Sequence, residues 1–126
     1  MSALIRGLHR LGAKIVVVTD GEHGSYASDG TDIWFCPIFP GPVIERTGAG
    51  DSYTLGFTYG LDRTGSLAEA MRYGTANSWS VVQYMGPHAG LLTPKRMQAI
   101  LKKFSALKPT LYTDVAGTKK TTRRKK

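Results

Sequence analysis

The sequence predicts an α/β fold, and three local patterns carry that reading. Residues 14–19, Lys-Ile-Val-Val-Val-Thr, form a continuous β-branched run of the kind buried on both faces of a parallel sheet. A helical pattern and a glycine turn precede this run, and helical patterns with start signals return after residue 47. Helix, tight turn and buried strand in that order make one step of an α/β fold.

Leu4, Ile5, Leu8 and Leu11 recur at helical spacing, and Gly12 follows where helices commonly stop, so a short helix opens the chain. After the strand, Asp20-Gly21-Glu22-His23-Gly24 reads as a turn. Residues 24–28 and 32–36, joined by Asp29-Gly30-Thr31, read as a hairpin, Asp-Gly being a strong hairpin signal. Two or three strands at a sheet edge are expected here. Trp34 and Phe35 alternate faces, so at least one ring belongs to the core. Pro37, Pro40 and Pro42 then break regularity.

Residues 51–61 carry Tyr53, Leu55, Phe57 and Leu61 around Gly56 and Gly60, which predicts a helix whose glycines permit close packing. Ser66 with Glu69 is a capping-box pattern that opens a second long helix, running to about Tyr84 and ended by Gly86-Pro87. Thr93-Pro94 starts a third, with Met97, Ile100, Leu101 and Phe104 on one face.

A chain of 126 residues with 41% hydrophobic content fits one globular domain, assigned to residues 1–117. Of the formal charge of +8, six come from Lys119, Lys120, Arg123, Arg124, Lys125 and Lys126, which leaves +2 for residues 1–118. Residues 118–126 repel one another and have nothing apolar to bury, so a disordered basic tail is expected. The nearly balanced body, with no basic residues interleaved with aromatics, argues against nucleic acid as a partner. Cys36 is the only cysteine, which excludes an internal disulfide and a paired-thiol metal site. His9, His23 and His88 show no ligand-like spacing, and no metal site built from side chains is expected. The start lacks a charged lead before a long apolar run, and no stretch is apolar for long enough to span a bilayer. A cytoplasmic protein without a membrane partner is the expectation.

The chemically informative stretch is Glu45-Arg46-Thr47-Gly48-Ala49-Gly50-Asp51-Ser52-Tyr53. Three successive small residues let the main chain approach a ligand, so several amides can converge on one point. The helix that follows adds its first-turn N–H groups and its positive dipole end. The result is an anion hole. A carboxylate directly after it costs energy beside a phosphate unless it has a task, and accepting a proton from an attacking hydroxyl is the task that fits Asp51. An ordinary loop with Asp51 as an N-cap is the structural alternative.

The string Thr-Gly-Ala-Gly-Asp-Ser closely resembles the second signature of the ribokinase, or PfkB, family of carbohydrate kinases, and it lies between a buried strand with Gly-x-x-Gly upstream and an Asn-bearing helix downstream. The resemblance runs over roughly residues 1–104. It implies a three-layer α/β fold, part of a doubly wound, ribokinase-like sheet with helices on both faces. It implies transfer of the γ-phosphoryl of ATP to a hydroxyl of a sugar or nucleoside, with Asp51 as base and Gly48, Ala49 and Gly50 as anion hole. Thr19, Gly21, Gly24 and Thr47 fall at nucleotide-site positions, and Asn77 is the candidate for a place beside the adenine; its plainer reading is a polar residue on an exposed helix face. Mg²⁺ would arrive with the nucleotide. Gly86-Pro87-His88-Ala89 matches a segment that helps to hold a monovalent cation in some members.

Three departures from the family pattern stand out. Arg46 replaces a small residue and sets a cation beside the anion hole, where phosphate or Glu45 could pair with it. Glu45 is longer than the usual Asp. The family's amino-terminal region, with its sugar contacts, has no counterpart here, so the chain reads as a carboxy-terminal portion. Its acceptor pocket would come from a missing amino-terminal half or from a homodimer. A nucleotide-binding chain without turnover of its own is the alternative function.

Overall fold

The computed structural model describes residues 1–84 and 92–113. The predicted cation segment 86–89 and the basic tail 118–126 lie outside the described residues. Four helices, α1 (Ser2–Arg10), α2 (Ala49–Thr64), α3 (Leu67–Val81) and α4 (Pro94–Lys103), accompany four strands, β1 (Val16–Thr19), β2 (Ser25–Ser28), β3 (Ile33–Cys36) and β4 (Thr110–Leu111).

The strands form one antiparallel sheet in the order β1-β2-β3-β4. The α/β class holds, but the parallel pairing expected of residues 14–19 does not appear among the described residues. The reason lies in residues 20–24. Asp20 N–H donates to the Gly24 carbonyl at 2.9 Å, a single 3-10 turn fills the loop, and Gly21 and Gly24 take φ of 55° and 102°. Left-handed φ is accessible to glycine without steric cost, so the chain reverses within five residues and β2 lies against β1. The second reversal is closed by the Asp29 carboxylate, which accepts from Thr31 N–H at 2.9 Å and Asp32 N–H at 3.2 Å. These bonds hold its carboxyl below the usual range.

Alternation then sorts the side chains. Val17, Ala27, Trp34 and Cys36 face the core formed with Tyr53, Phe57, Ala70 and Met71 of α2 and α3. On the other face Tyr26 meets Phe35 and Tyr112, and Ser28 is hydrogen-bonded to His9 of α1 at 2.9 Å. Helices therefore cover both faces. Both predicted aromatics are half-buried, on opposite sides.

Among the described elements, helices α2 and α3 make the most extensive contact. A Cβ at Gly56 would stand 2.6 Å from the Tyr73 carbonyl oxygen, and one at Gly74 would stand 2.9 Å from the Tyr53 carbonyl oxygen. Ser66 Oγ accepts from Glu69 N–H at 3.1 Å and opens α3. Thr93 caps α4 in the same way, with Pro94 in its first turn. Phe39, Tyr73, Ala76, Met97 and Leu101 form a second core where α4 packs on α3. Arg72, buried, donates to the carbonyls of Leu101, Phe104 and Leu107, and so satisfies the end of α4.

Candidate active site

Residues 39–46 reach α2 as a strap held on α3. Trp79 Nε1–H donates to the Pro40 carbonyl at 2.8 Å, and the amides of Ile44 and Glu45 both donate to the Val82 carbonyl, at 2.7 and 3.0 Å. At the end of the strap Gly48 takes φ +85° and turns the chain into α2. Ser52 N–H donates back to Gly48 O at 2.9 Å, and Ala49 N–H is spent on Arg46 O at 3.0 Å. The next two amides, of Gly50 and Asp51, have no partner among the described residues, and no side chain caps the helix. Two donors and the positive end of a helix of 16 residues thus converge at one point.

The cap is Gly48. Asp51 is the third residue of α2, exposed, so the reading of Asp51 as N-cap is displaced. Gly50 is helical, with nothing within 4 Å of the Cβ it lacks. Of the three small residues only Gly48 needs a left-handed φ; Gly50 leaves space.

That space belongs to a cleft of about 130 Å³ between the strap, the turn at 20–24 and α3. Thr19, Gly21, Gly24, Ala49 and Gly50 line it together. Gly48, Thr47 and Asp51 adjoin these residues in the chain but are not among its lining. Its walls include Ile38, Phe39, Val43 and Trp79, which sequence reasoning passed over. The proline breaks at 37–42 were the available signal. Tyr53 ties the two sides of the cleft, because its hydroxyl is hydrogen-bonded to Ser25 Oγ at 2.8 Å, one residue from Gly24. Burial pushes the Tyr53 phenol well above its ordinary pKa and keeps it neutral.

Glu45 turns away from Arg46. Its carboxylate accepts from the hydroxyl and the amide of Thr47, and these two bonds hold it below the usual carboxylate range. Arg46 instead faces Glu22 of the Gly-x-x-Gly turn at 3.8 Å.

Asn77 is 4% exposed, so the exposed-face reading is overturned. Its Nδ2 donates to the Ser52 carbonyl at 2.8 Å, and its Oδ1 accepts from Leu92 N–H at 3.1 Å. It borders a second cavity with Leu55, Gly56 and Tyr59, apart from the cleft that holds the other candidates.

The cleft suits an extended ligand with an apolar body and an anionic end, since the apolar walls lead to the free amides at α2. Residues 1–94 match the profile of the pfkB family of carbohydrate kinases. Fructoselysine 6-kinase of Shigella flexneri is 44% identical over 75 residues, which cover 60% of this chain and 29% of that protein. Cytidine kinase of Thermococcus kodakarensis is 39% identical over 83 residues, 64% of this chain and 30% of that one. The structure of Arabidopsis thaliana ribokinase complexed with ribose and ATP superposes with a TM-score of 0.75 at 30% identity, over 80% of this chain and 33% of that chain. The chain therefore spans about a third or less of the length of these relatives.

Proposed function

Because the chain belongs to the pfkB family of carbohydrate kinases, we propose that it supplies the nucleotide site, anion hole and catalytic base for transfer of the γ-phosphoryl of ATP to a hydroxyl of a sugar or nucleoside. The observation that carries this reading is the pair of unpartnered amides of Gly50 and Asp51 in the first turn of α2, where Gly50 lines a cleft together with Thr19, Gly21 and Gly24. Donors fixed in place before the reaction stabilise charge on a transferring phosphoryl without reorganising. Gly48 makes this possible by its left-handed turn, and Gly50 by leaving room for phosphate to approach.

Asp51, in the same helical turn, accepts the proton of the attacking hydroxyl. Thr47 fixes the Glu45 carboxylate and so shapes the loop before the cap. Asn77 serves the nucleotide side from behind, by holding the Ser52 carbonyl of the first turn of α2. Mg²⁺ would be carried in on the nucleotide phosphates, where it neutralises charge; among the described residues no cluster of three acidic, His or Cys side chains could hold it.

A second reading, nucleotide binding without turnover by this chain alone, is favoured by its share of the relatives' length, 29–30%. Positioning supplies much of phosphoryl-transfer catalysis, and a donor without an oriented acceptor forfeits it. The test is an NMR titration of the chain with ADP and ATP at several salt concentrations, alongside kinase assays on ribose, fructose and adenosine. Weak, mildly salt-sensitive binding with shifts at Gly21, Gly48 to Asp51 and Asn77, and negligible turnover, is expected. Saturating ADP that moves none of these resonances overturns the site. Robust phosphorylation by the chain alone overturns the second reading.

A further inference from the structure

Among the described residues that line the cleft, one carries a charged side chain. Of the residues lining it, all but Arg46 are apolar or neutral. A nucleoside diphosphate or triphosphate brings several negative charges, and main-chain amides offer it dipoles but no counter-charge. Arg46 also stands in an unusual mechanical position. Its carbonyl accepts the Ala49 amide at 3.0 Å, so its backbone is part of the turn that presents the anion hole. Its guanidinium reaches the other way, across the cleft, to Glu22 between Gly21 and Gly24.

That ion pair is loose. The nitrogen–oxygen separation is 3.8 Å, beyond hydrogen-bond reach, and the two side chains are 55% and 68% exposed. Pairs of this kind contribute little and break readily. From this arrangement we infer that Arg46 is a nucleotide-polyphosphate-binding residue which exchanges Glu22 for a phosphate group when the nucleotide enters. The inference rests on the nucleotide reading of the cleft given above. A guanidinium binds phosphate oxygens through two parallel donors, a geometry that a single distant carboxylate oxygen does not offer, and the amides of Gly50 and Asp51 hold the same anion from the other side. Glu22 acts as a placeholder: without nucleotide it keeps Arg46 across the cleft, and with nucleotide it is a nearby negative charge that weakens binding.

The competing account is that Arg46 and Glu22 simply tie the turn to the strap. The two accounts diverge when ADP and adenosine are titrated separately into the full chain at low salt. Polyphosphate binding predicts that Arg46→Gln weakens ADP about tenfold, the loss of one charge-assisted contact, and leaves adenosine unchanged. Arg46→Lys, which keeps the charge without the fork, falls between, and Glu22→Gln tightens ADP severalfold. If Arg46→Gln binds ADP as tightly as the parent, or loses ADP and adenosine equally, the assignment is overturned. A folded parent chain that binds neither ligand overturns the nucleotide reading and this inference with it. Arg46 is exposed, and retention of the parent melting temperature in Arg46→Lys shows that any loss is not one of folding.

Discussion

At the start of α2, Gly48 and Gly50 keep the backbone open, whereas in its middle Gly56 and Gly60 close it against α3. The same residue type serves opposite ends. Around Gly50 nothing lies within 4 Å of a hypothetical Cβ, and around Gly56 the Tyr73 carbonyl oxygen would lie at 2.6 Å. Polar groups follow the same division. The first-turn amides of Gly50 and Asp51 have no partner among the described residues, while the carbonyl of the next residue, Ser52, receives the Asn77 amide and the Tyr53 hydroxyl meets Ser25. One helix therefore combines an unsatisfied, accessible end with a saturated, close-packed body, and the second gives the first its rigidity. Preorganised donors need such backing, since a mobile turn would lose the geometry that makes them effective.

The largest expected effect tests the packed body. Gly56→Ala must move the backbone of α3, because the atom it meets is a main-chain oxygen. A loss of about 3 kcal/mol, the upper part of the usual range for overpacking, is expected in urea unfolding. A loss below about 1 kcal/mol, the ordinary scale of a surface change, would show that α2 and α3 can slide apart freely.

At the open end the expected effect is on chemistry. Asp51→Asn keeps the shape and removes the proton acceptor, so turnover falls about a hundredfold or more, as for loss of a general base. The measurement belongs in a longer protein that joins this segment to an acceptor half. ADP affinity and melting temperature should hold. Unchanged turnover removes Asp51 from the mechanism.

Asn77 stands where the two regions meet. Asn77→Ala removes the side-chain bond to the Ser52 carbonyl and the acceptor of the Leu92 amide, a cost of about 2 kcal/mol in stability. Weakened ADP binding at temperatures where the variant is fully folded would show how far the closed body supports the open end. Unchanged stability would mean that the bridge is replaceable.

Much of this division was legible in the sequence. The string at residues 47–52 marked the open end, Gly56 and Gly60 among aromatics marked a close helix contact, and Ser66 and Thr93 marked the helix starts. The rest depends on the third dimension. A continuous β-branched run does not reveal whether its neighbour is parallel, and the reversal at residues 20–24 settled it for β1 and β2. The strand β4 is two residues long, too short for any periodicity. Nothing in the local sequence marks Arg72, because only the arrival of α4 makes it a buried cap for three carbonyls. The turns at Gly21, Gly24 and Gly48 could be anticipated from sequence because backbone conformation is a local property. The cleft walls at Phe39 and Trp79 are distant in sequence and are brought together by the strap, of which the proline breaks at 37–42 were the one local sign.

Gly50→Ala is the smallest perturbation and isolates the open end. Gly50 is helical and its missing Cβ would meet no neighbour. Alanine is the better helix former by roughly 1 kcal/mol in a helix interior, and the gain is smaller in a first turn. Stability should therefore stay level or rise by under about 1 kcal/mol, the reverse of Gly56→Ala on the same helix. Binding should move the other way. The added methyl group occupies the side from which phosphate approaches the two free amides, so ADP affinity falls while the fold gains. Thermal unfolding paired with ADP titration reads both quantities. A variant that is more stable and binds ADP as tightly as the parent would leave Gly50 a helix residue of no special use, and the anion hole would have to be drawn from Gly48 and Asp51 alone.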